Sequence, residues 1–201
     1  MASHHVVAPR NLAVFKPLDA RTNSAHSMTN SRSIASGQDS TISIEAEHPR
    51  RKTVADAFQW KVIAGLGRAG DSIALLPTTG NVPASAGLEY DFNIAKSGAA
   101  KVLVYCIPTH AIHPGMRLRY SVSVDQETPK VVDLDTKEFS REWSTNVLQA
   151  AAIGVTDHTL AEVGKHTLKL HPLDPGIVFD KLVIDLGDLK PSQLGPPENV
   201  R

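Results

Sequence analysis

Two glutamates in the stretch ISIEAEH are the residues of this sequence that most clearly suggest chemistry. Glu45 and Glu47 are two positions apart, while Ile42, Ile44 and Ala46 take the alternate positions. On a β-strand the two carboxylates would project from one face, roughly 7 Å apart. Like charges at that distance repel each other unless water solvates them or a cation bridges them. The sequence leaves both interpretations open: a solvated strand face, or part of a Ca²⁺ site built from several carboxylate and carbonyl oxygens.

Asp185 is the predicted third ligand of this calcium site. It alternates with Ile184 and Leu186 in KLVIDLGD, close to the end of the chain. If the first and last strands of the fold pair, its carboxylate would join those of Glu45 and Glu47. The predicted cofactor is therefore a structural Ca²⁺ held by these three residues.

Motifs for catalysis are weak. The stretch GLGRAG at residues 65–70 has the G-x-G-x-x-G spacing, but Pro77 follows too soon for the helix that a dinucleotide site requires. We expect a tight turn between two strands there. The G-x-S-x-G elbow of hydrolases is absent. The sequence predicts no catalytic residue.

The histidines also give no convincing site. His110 and His113 lie among prolines and therefore in a loop, where their spacing does not indicate a metal site. His166 and His171 are an odd number of residues apart, so a strand would point them to opposite faces.

Sugar binding would need an exposed aromatic ring that stacks on a pyranose face. The chain has ten aromatic residues, and the candidates for carbohydrate binding are Trp60, Tyr105 and Trp143. Packing is the alternative for each, because Trp60 opens an apolar strand and Trp143 has apolar neighbours at helical spacing. Tyr120 is in phase with a predicted core and is assigned to packing.

Bulk composition removes several classes of function. Lys and Arg total 21, as do Asp and Glu, so no nucleic-acid or membrane partner is expected. Cys106 is the single cysteine and excludes an internal disulfide. No apolar run approaches the roughly 18 residues of a membrane span, and the N-terminus does not resemble a signal peptide.

Alternation with a period of two dominates the chain from residue 40 onward. It is clearest in LEYDFNI, LRYSVSV and TLKL, and Pro and Gly residues separate the runs. The pattern predicts an all-β fold, an antiparallel β-sandwich of the jelly-roll, galactose-binding-like type. One short helix is expected in SREWSTNVLQAAA, with Ser140 as its N-cap. Residues 174–176, Asp-Pro-Gly, are expected to turn between two strands.

Domain boundaries follow from composition. Residues 1–39 are rich in Ser, Asn, Thr and Ala and are predicted to be a linker or N-terminal arm, partly disordered. Residues 40–195 are predicted to form the sandwich, and 196–201 a C-terminal tail.

Seven segments in order resemble the C-terminus of glycoside hydrolase family 115, which comprises α-glucuronidases that remove glucuronic acid or its 4-O-methyl ether from xylan. The resemblance spans about residues 41–199 and rests on SIEAEH, WKVIAGLGRAGDSIALLP, LEYDF, SVSVD, GKHTLKL, DPGIVFDKLVID and LGPPEN. Two positions depart from the family pattern: His171-Pro172 and Gln193 stand where the family tends to have aromatic residues, so aromatic contacts are not expected there.

The resemblance implies a β-sandwich similar to carbohydrate-binding modules, and catalytic machinery that lies in earlier domains. This chain would then be a non-catalytic accessory domain that binds xylan or glucuronoxylan, from an extracellular or periplasmic parent enzyme. Sandwich modules with a similar Glu-x-Glu strand often hold a structural ion, which favours the calcium prediction. The alternative is a purely structural domain that packs on the catalytic domains or forms a homodimer, without a sugar site. An independent hydrolase is the third hypothesis.

Overall fold

The computed structural model describes residues 35–36, 40–55, 57–111 and 115–199, and these form two packed β-sheets. The strands and the helix are, in chain order, β1 (Ala35–Ser36), β2 (Thr41–Glu45), β3 (Arg51–Thr53), β4 (Gln59–Ile63), β5 (Ser72–Leu76), β6 (Gly87–Ile94), β7 (Gly98–Ile107), β8 (Arg119–Val124), β9 (Lys130–Asp133), α1 (Arg141–Gln149), β10 (Ala152–Leu160), β11 (Gly164–Pro172) and β12 (Val178–Asp185).

Sheet A has the order β1-β6-β11-β8-β9, with β3 also paired to β6. Sheet B has the order β10-β7-β12-β5-β4, with β2 also paired to β12. All pairs are antiparallel except the two-residue pairing of β1 with β6. The predicted all-β sandwich is confirmed. The predicted linker, apart from residues 35–36, and His113 lie outside the described residues.

The core lies between the sheets and is built from the alternating residues of the sequence. Leu88, Tyr90, Phe92 and Ile94 all point inward from β6. Inward side chains of β2, β5, β7, β8, β10, β11 and β12 also belong to this main cluster. A smaller cluster with Tyr105 at its centre lies on the outer face of sheet B. The apolar character of β7 on both faces therefore reflects a central strand that contacts a cluster on each side.

Helix α1 is the predicted short helix, and Ser140 caps it: its Oγ accepts a hydrogen bond from the Trp143 N–H at 3.1 Å. No residue of α1 is buried, and Leu148 is 87% exposed. The helix thus lies on the surface of the sandwich and adds almost nothing to its core. Among the described residues, no helix has the length and apolarity needed to cross a membrane.

Residues 194–199, which we call the C-terminal strap, lie along the free edge of β2. Ser43 N–H donates to Asn199 Oδ1 at 2.7 Å, and Asn199 Nδ2 donates to the Thr41 carbonyl at 2.9 Å. The strap therefore covers backbone groups that an edge strand would otherwise expose. The contacts of the sandwich thus continue into residues 196–199, which were assigned to the C-terminal tail from the sequence.

Candidate functional site

Three carboxylates meet where β2 ends and β12 begins, and we call Glu45, Glu47 and Asp180 the acidic cluster. Glu45 is the last residue of β2, whereas Glu47 lies in the turn that follows. Antiparallel pairing sets Lys181 opposite Glu45, so its neighbour Asp180 lies beside them. The pairing of the first and last strands that the sequence predicted is therefore present, and it brings an aspartate to the glutamates.

That aspartate is not the predicted one. Asp185 pairs with Thr41, at the opposite end of β2 from Glu45. Its Oδ1 accepts hydrogen bonds from the backbone N–H groups of residues 187, 188 and 189, which closes the turn after β12. Asp185 therefore does not join the two glutamates, because antiparallel register places the end of β12 beside the start of β2.

Lys181 neutralises part of the acidic cluster. Its Nζ donates to Glu45 Oε1 at 3.1 Å and to the Pro196 carbonyl at 3.1 Å, with Leu194 O at 3.5 Å. The Lys181 side chain is almost fully buried. One ammonium group thus links β12, β2 and the C-terminal strap, and Glu198 Oε1 adds a second link by accepting the Glu45 N–H.

Each carboxylate of the acidic cluster also has one buried oxygen without a hydrogen-bond donor: Glu45 Oε2, Glu47 Oε2 and Asp180 Oδ2. Burial raises the pKa of all three carboxyl groups above their ordinary values, although Lys181 opposes the rise at Glu45. Unpaired, desolvated carboxylate oxygens are costly, so they suit either a bound proton or a cation.

The loop between β4 and β5 closes over the acidic cluster. The Arg68 N–H donates to Asp180 Oδ1 at 3.0 Å. A Cβ added at Gly67 would lie 2.3 Å from the Asp71 carbonyl oxygen and 2.6 Å from Asp180 Oδ1, so only glycine fits at this position. The GLGRAG stretch is therefore the predicted turn, and its close approach supplies a backbone carbonyl near Asp180.

The donor chemistry of this site is that of a hard cation such as Ca²⁺, which prefers carboxylate and carbonyl oxygens. The three orphaned oxygens and the Asp71 carbonyl fit that chemistry. Within the described part of the chain, however, no group of three or more His, Cys, Asp or Glu side chains is arranged closely enough to hold a metal ion.

The predicted sugar-binding aromatics do not come together. Trp60 packs against the main core, 6.4 Å from the Phe179 ring, and its Nε1–H donates to the Thr53 carbonyl. Tyr105 is 5% exposed and lies on the opposite, outer face of sheet B. Both rings are engaged in packing: Tyr105 is buried and Trp60 is partly buried.

Trp143 is different because it is half-buried and packs beside two exposed side chains, Phe139 and His110. Phe139 packs edge-on against Trp143 at a centroid distance of 5.2 Å, and His110 stacks on Trp143 at 6.1 Å. The Trp143 Nε1–H donates to His110 Nε2 at 2.8 Å, which fixes the indole. We call Phe139, Trp143 and His110 the aromatic platform.

Phe139 is the member of the platform that sequence reasoning missed. Its side chain is 78% exposed, and its backbone is left-handed with φ of +61°. A bulky residue in that conformation costs about 1 kcal/mol or more that glycine would avoid. A phenylalanine among charged residues in DTKEFSRE was the available signal, since no apolar periodicity explains it there.

Three further histidines of the described sandwich, His158, His166 and His171, make contacts within the fold. His166 is buried and bonded through Nδ1 to Asp125 Oδ2 at 2.7 Å, whereas His171 faces the other side of β11. His158 is likewise buried, between Glu127 and Thr156. The prediction that His166 and His171 share no site is confirmed.

Comparison with known proteins gives a consistent family and fold. The model of the glycosyl hydrolase family 115 C-terminal domain matches residues 37–198. No curated protein sequence matches the chain. Among solved structures, the chain is similar to BtGH115A, a family 115 4-O-methyl-α-glucuronidase with specificity for decorated arabinogalactans, with 24% identity and a TM-score of 0.57.

That similarity covers 82% of this chain and 19% of the glucuronidase, so the chain spans about a fifth of its relative. A family 35 carbohydrate-binding module from Clostridium thermocellum is also similar in fold, with 16% identity, a TM-score of 0.50, and coverage of 71% of this chain and 97% of the module. The family match extends over most of the described sandwich, from the start of β2 to the C-terminal strap. This chain belongs to the glycosyl hydrolase family 115 C-terminal domain family.

Proposed function

We propose that this chain is a non-catalytic, carbohydrate-binding accessory domain of a family 115 α-glucuronidase-like enzyme, acting outside the cytoplasm on xylan or glucuronoxylan. One observation carries the proposal: Phe139 holds an exposed ring beside Trp143 in a strained backbone conformation. Folding does not require this arrangement, since the ring buries little and the backbone is unfavourable. An exposed, fixed ring suits stacking on a sugar face.

Native affinity electrophoresis tests the sugar binding. The chain should be retarded in gels that contain xylan or glucuronoxylan, and a gel with a decorated arabinogalactan tests the ligand of the glucuronidase relative. Phe139→Ala should abolish most of the retardation, because it removes the exposed ring and leaves the core intact. Val163→Ala is the matched control, since Val163 is also exposed, at 61%, but lies in the turn between β10 and β11. Equal retardation of both variants would contradict the proposal, as would no retardation of the wild type.

We further propose that Glu45, Glu47 and Asp180, which are not close enough together to hold a metal ion in the structure described above, move together to bind a structural Ca²⁺ with the Asp71 carbonyl. The ion would supply the positive charge that the three orphaned oxygens lack. Ca²⁺ at about 100 times its Kd should raise the free energy of unfolding by about 2.7 kcal/mol. Asp180→Asn should remove most of this gain, whereas Asp185→Asn should retain it, and thermal unfolding with CaCl₂ or EDTA measures both.

An effect of Asp185→Asn equal to that of Asp180→Asn would contradict this ligand set. No stabilisation of the wild type by Ca²⁺ would contradict the calcium site altogether. The Lys181 ammonium group would then be the cation that neutralises Glu45.

A structural role is the second candidate, and the outer face of sheet B favours it. Leu148 is 87% and Val155 50% exposed there, beside the partly buried Ile153 and Leu103. Such aliphatic side chains suit a contact with catalytic domains or a second copy. Sedimentation tests the homodimer: a dimer that Leu148→Glu disrupts, together with no retardation on any glycan, would replace the sugar-binding proposal.

A further inference from the structure

An open groove lies at the C-terminal end of α1, apart from the aromatic platform at its N-terminal end. Its lining includes Arg68, Leu148, Gln149, Ile153, Gln193 and Leu194. The helix, the β4–β5 loop and the segment that leads into the C-terminal strap each supply part of the wall. The groove thus combines one cation, two amide side chains and an aliphatic lining.

Arg68 is held in place by a ring and a backbone contact, and its charge acts on the nearby Asp180 carboxylate without forming an ion pair among the described residues. Its guanidinium carbon lies 5.6 Å from the centroid of the Tyr105 ring, and its backbone N–H is bonded to Asp180. Among the described arginines, four form ion pairs with carboxylates: Arg50, Arg51, Arg117 and Arg119. Within the same part of the chain, Arg68 forms no ion pair with a carboxylate. A positioned guanidinium that lines a groove and has no carboxylate at ion-pair distance keeps its hydrogen-bond donors available, so it is well suited to recognise an anionic group.

We propose that this groove binds an anionic saccharide, with its carboxylate or sulfate group on the Arg68 guanidinium. The inference rests on the proposed carbohydrate-binding function and adds a second subsite to it. Gln149 and Gln193 offer both donors and acceptors to sugar hydroxyls. Leu148 and Leu194, which are 87% and 56% exposed, offer apolar surface to the C–H faces of a sugar ring.

Helix α1 sets the spacing of the two subsites. Its nine residues span about 14 Å at 1.5 Å per residue. The aromatic platform, at the first turn, suits an uncharged sugar face, whereas the groove at the last turn suits a charged substituent. The two subsites can therefore be separated by mutation.

Isothermal titration or NMR titration of the full chain tests the inference. The probes are D-glucuronate, D-glucose 6-sulfate and D-glucose, and the first two distinguish a carboxylate from a sulfate. At least one anionic probe should bind about tenfold or more tightly than glucose, because a charge-assisted hydrogen bond to arginine is lost with the neutral sugar. Added salt should weaken this preference.

Arg68→Gln should reduce the affinity for that anion about tenfold and leave the fold intact, since the Arg68 backbone contact to Asp180 does not need the side chain. Arg68→Lys should recover part of the affinity, as it keeps the charge but loses the planar fork. Arg141→Gln is the matched control, because Arg141 is exposed and forms no ion pair with a carboxylate within the described part of the chain. A similar loss in Arg68→Gln and Arg141→Gln, or equal binding of glucose, would overturn the proposal.

Phe139→Ala separates this inference from the proposed function. It should keep the affinity for the anionic probe and lose retention on xylan. Retention that depends on Phe139, without any dependence of anion binding on Arg68, would refute the groove alone. Self-association that Leu148→Glu removes, with no saccharide bound, would identify the groove as a protein contact and refute the proposal.

Discussion

Glu47 has a buried carboxylate oxygen without a donor, and burial raises the pKa of its carboxyl group above 4.5. A raised pKa means that the folded state keeps the proton to higher pH than the unfolded chain does. The free energy of unfolding therefore falls as pH rises from the ordinary value to the raised one. Without calcium, this carboxylate destabilises the domain at neutral pH.

Glu47→Gln should accordingly be more stable than the wild type at pH 7 in EDTA, and this advantage should shrink towards pH 4. Urea unfolding at the two pH values measures it. With saturating CaCl₂ at pH 7 the order should reverse, because the variant loses a ligand. A variant whose stability relative to the wild type does not change with pH or calcium would show that Glu47 is an ordinary solvated carboxylate.

Among the elements of the fold, the C-terminal strap is held to β2 by Asn199 and Glu198 and, in addition, by one buried ammonium group. Lys181 Nζ bonds to Glu45 on β2 and to two strap carbonyls, and its side chain is 2% exposed. Removing one partner of such a pair leaves a buried charge and unpaired carbonyls. The strap should thus loosen from β2 when this residue is replaced.

Lys181→Met should lower the free energy of unfolding by about 3 kcal/mol, measured by urea denaturation in EDTA. Adding Glu45→Gln should recover part of the loss, because it removes the unpaired charge. Lys190→Met is the control: Lys190 is exposed just before the strap, and a change within about 0.5 kcal/mol is expected there. An equally small loss for Lys181→Met would show that the strap does not depend on this ammonium group.

At the scale of the whole molecule, the sequence could predict the sandwich because one side of each strand is buried. The alternation of Leu88 to Ile94 appears directly as the inward face of β6, and Ser140 caps α1 as expected. The partner residues across strands could not be predicted, because register is set by tertiary pairing. Asp180 rather than Asp185 therefore joins the glutamates.

Trp143 of the aromatic platform was a predicted candidate, but Phe139 escaped prediction for a related reason. Alternation and helical spacing identify residues that pack into a core. Phe139 belongs to neither pattern, because it lies in the turn before α1. Likewise, the residues of LGPPEN could not show that the Asn199 side-chain amide forms hydrogen bonds to the backbone of β2, as a neighbouring strand would. Sites on turns and on the C-terminal strap depend on which distant part of the chain they contact. Local sequence patterns do not contain this information.

The two tryptophans of the chain allow a direct test of sugar binding at the aromatic platform. Trp60 packs against the core, whereas Trp143 lies in the aromatic platform. In a titration of ¹⁵N-labelled protein with xylo-oligosaccharides, the Trp143 indole resonance should shift and the Trp60 resonance should stay in place. An unchanged Trp143 resonance at saturating oligosaccharide, or equal shifts of both, would contradict sugar binding at this platform.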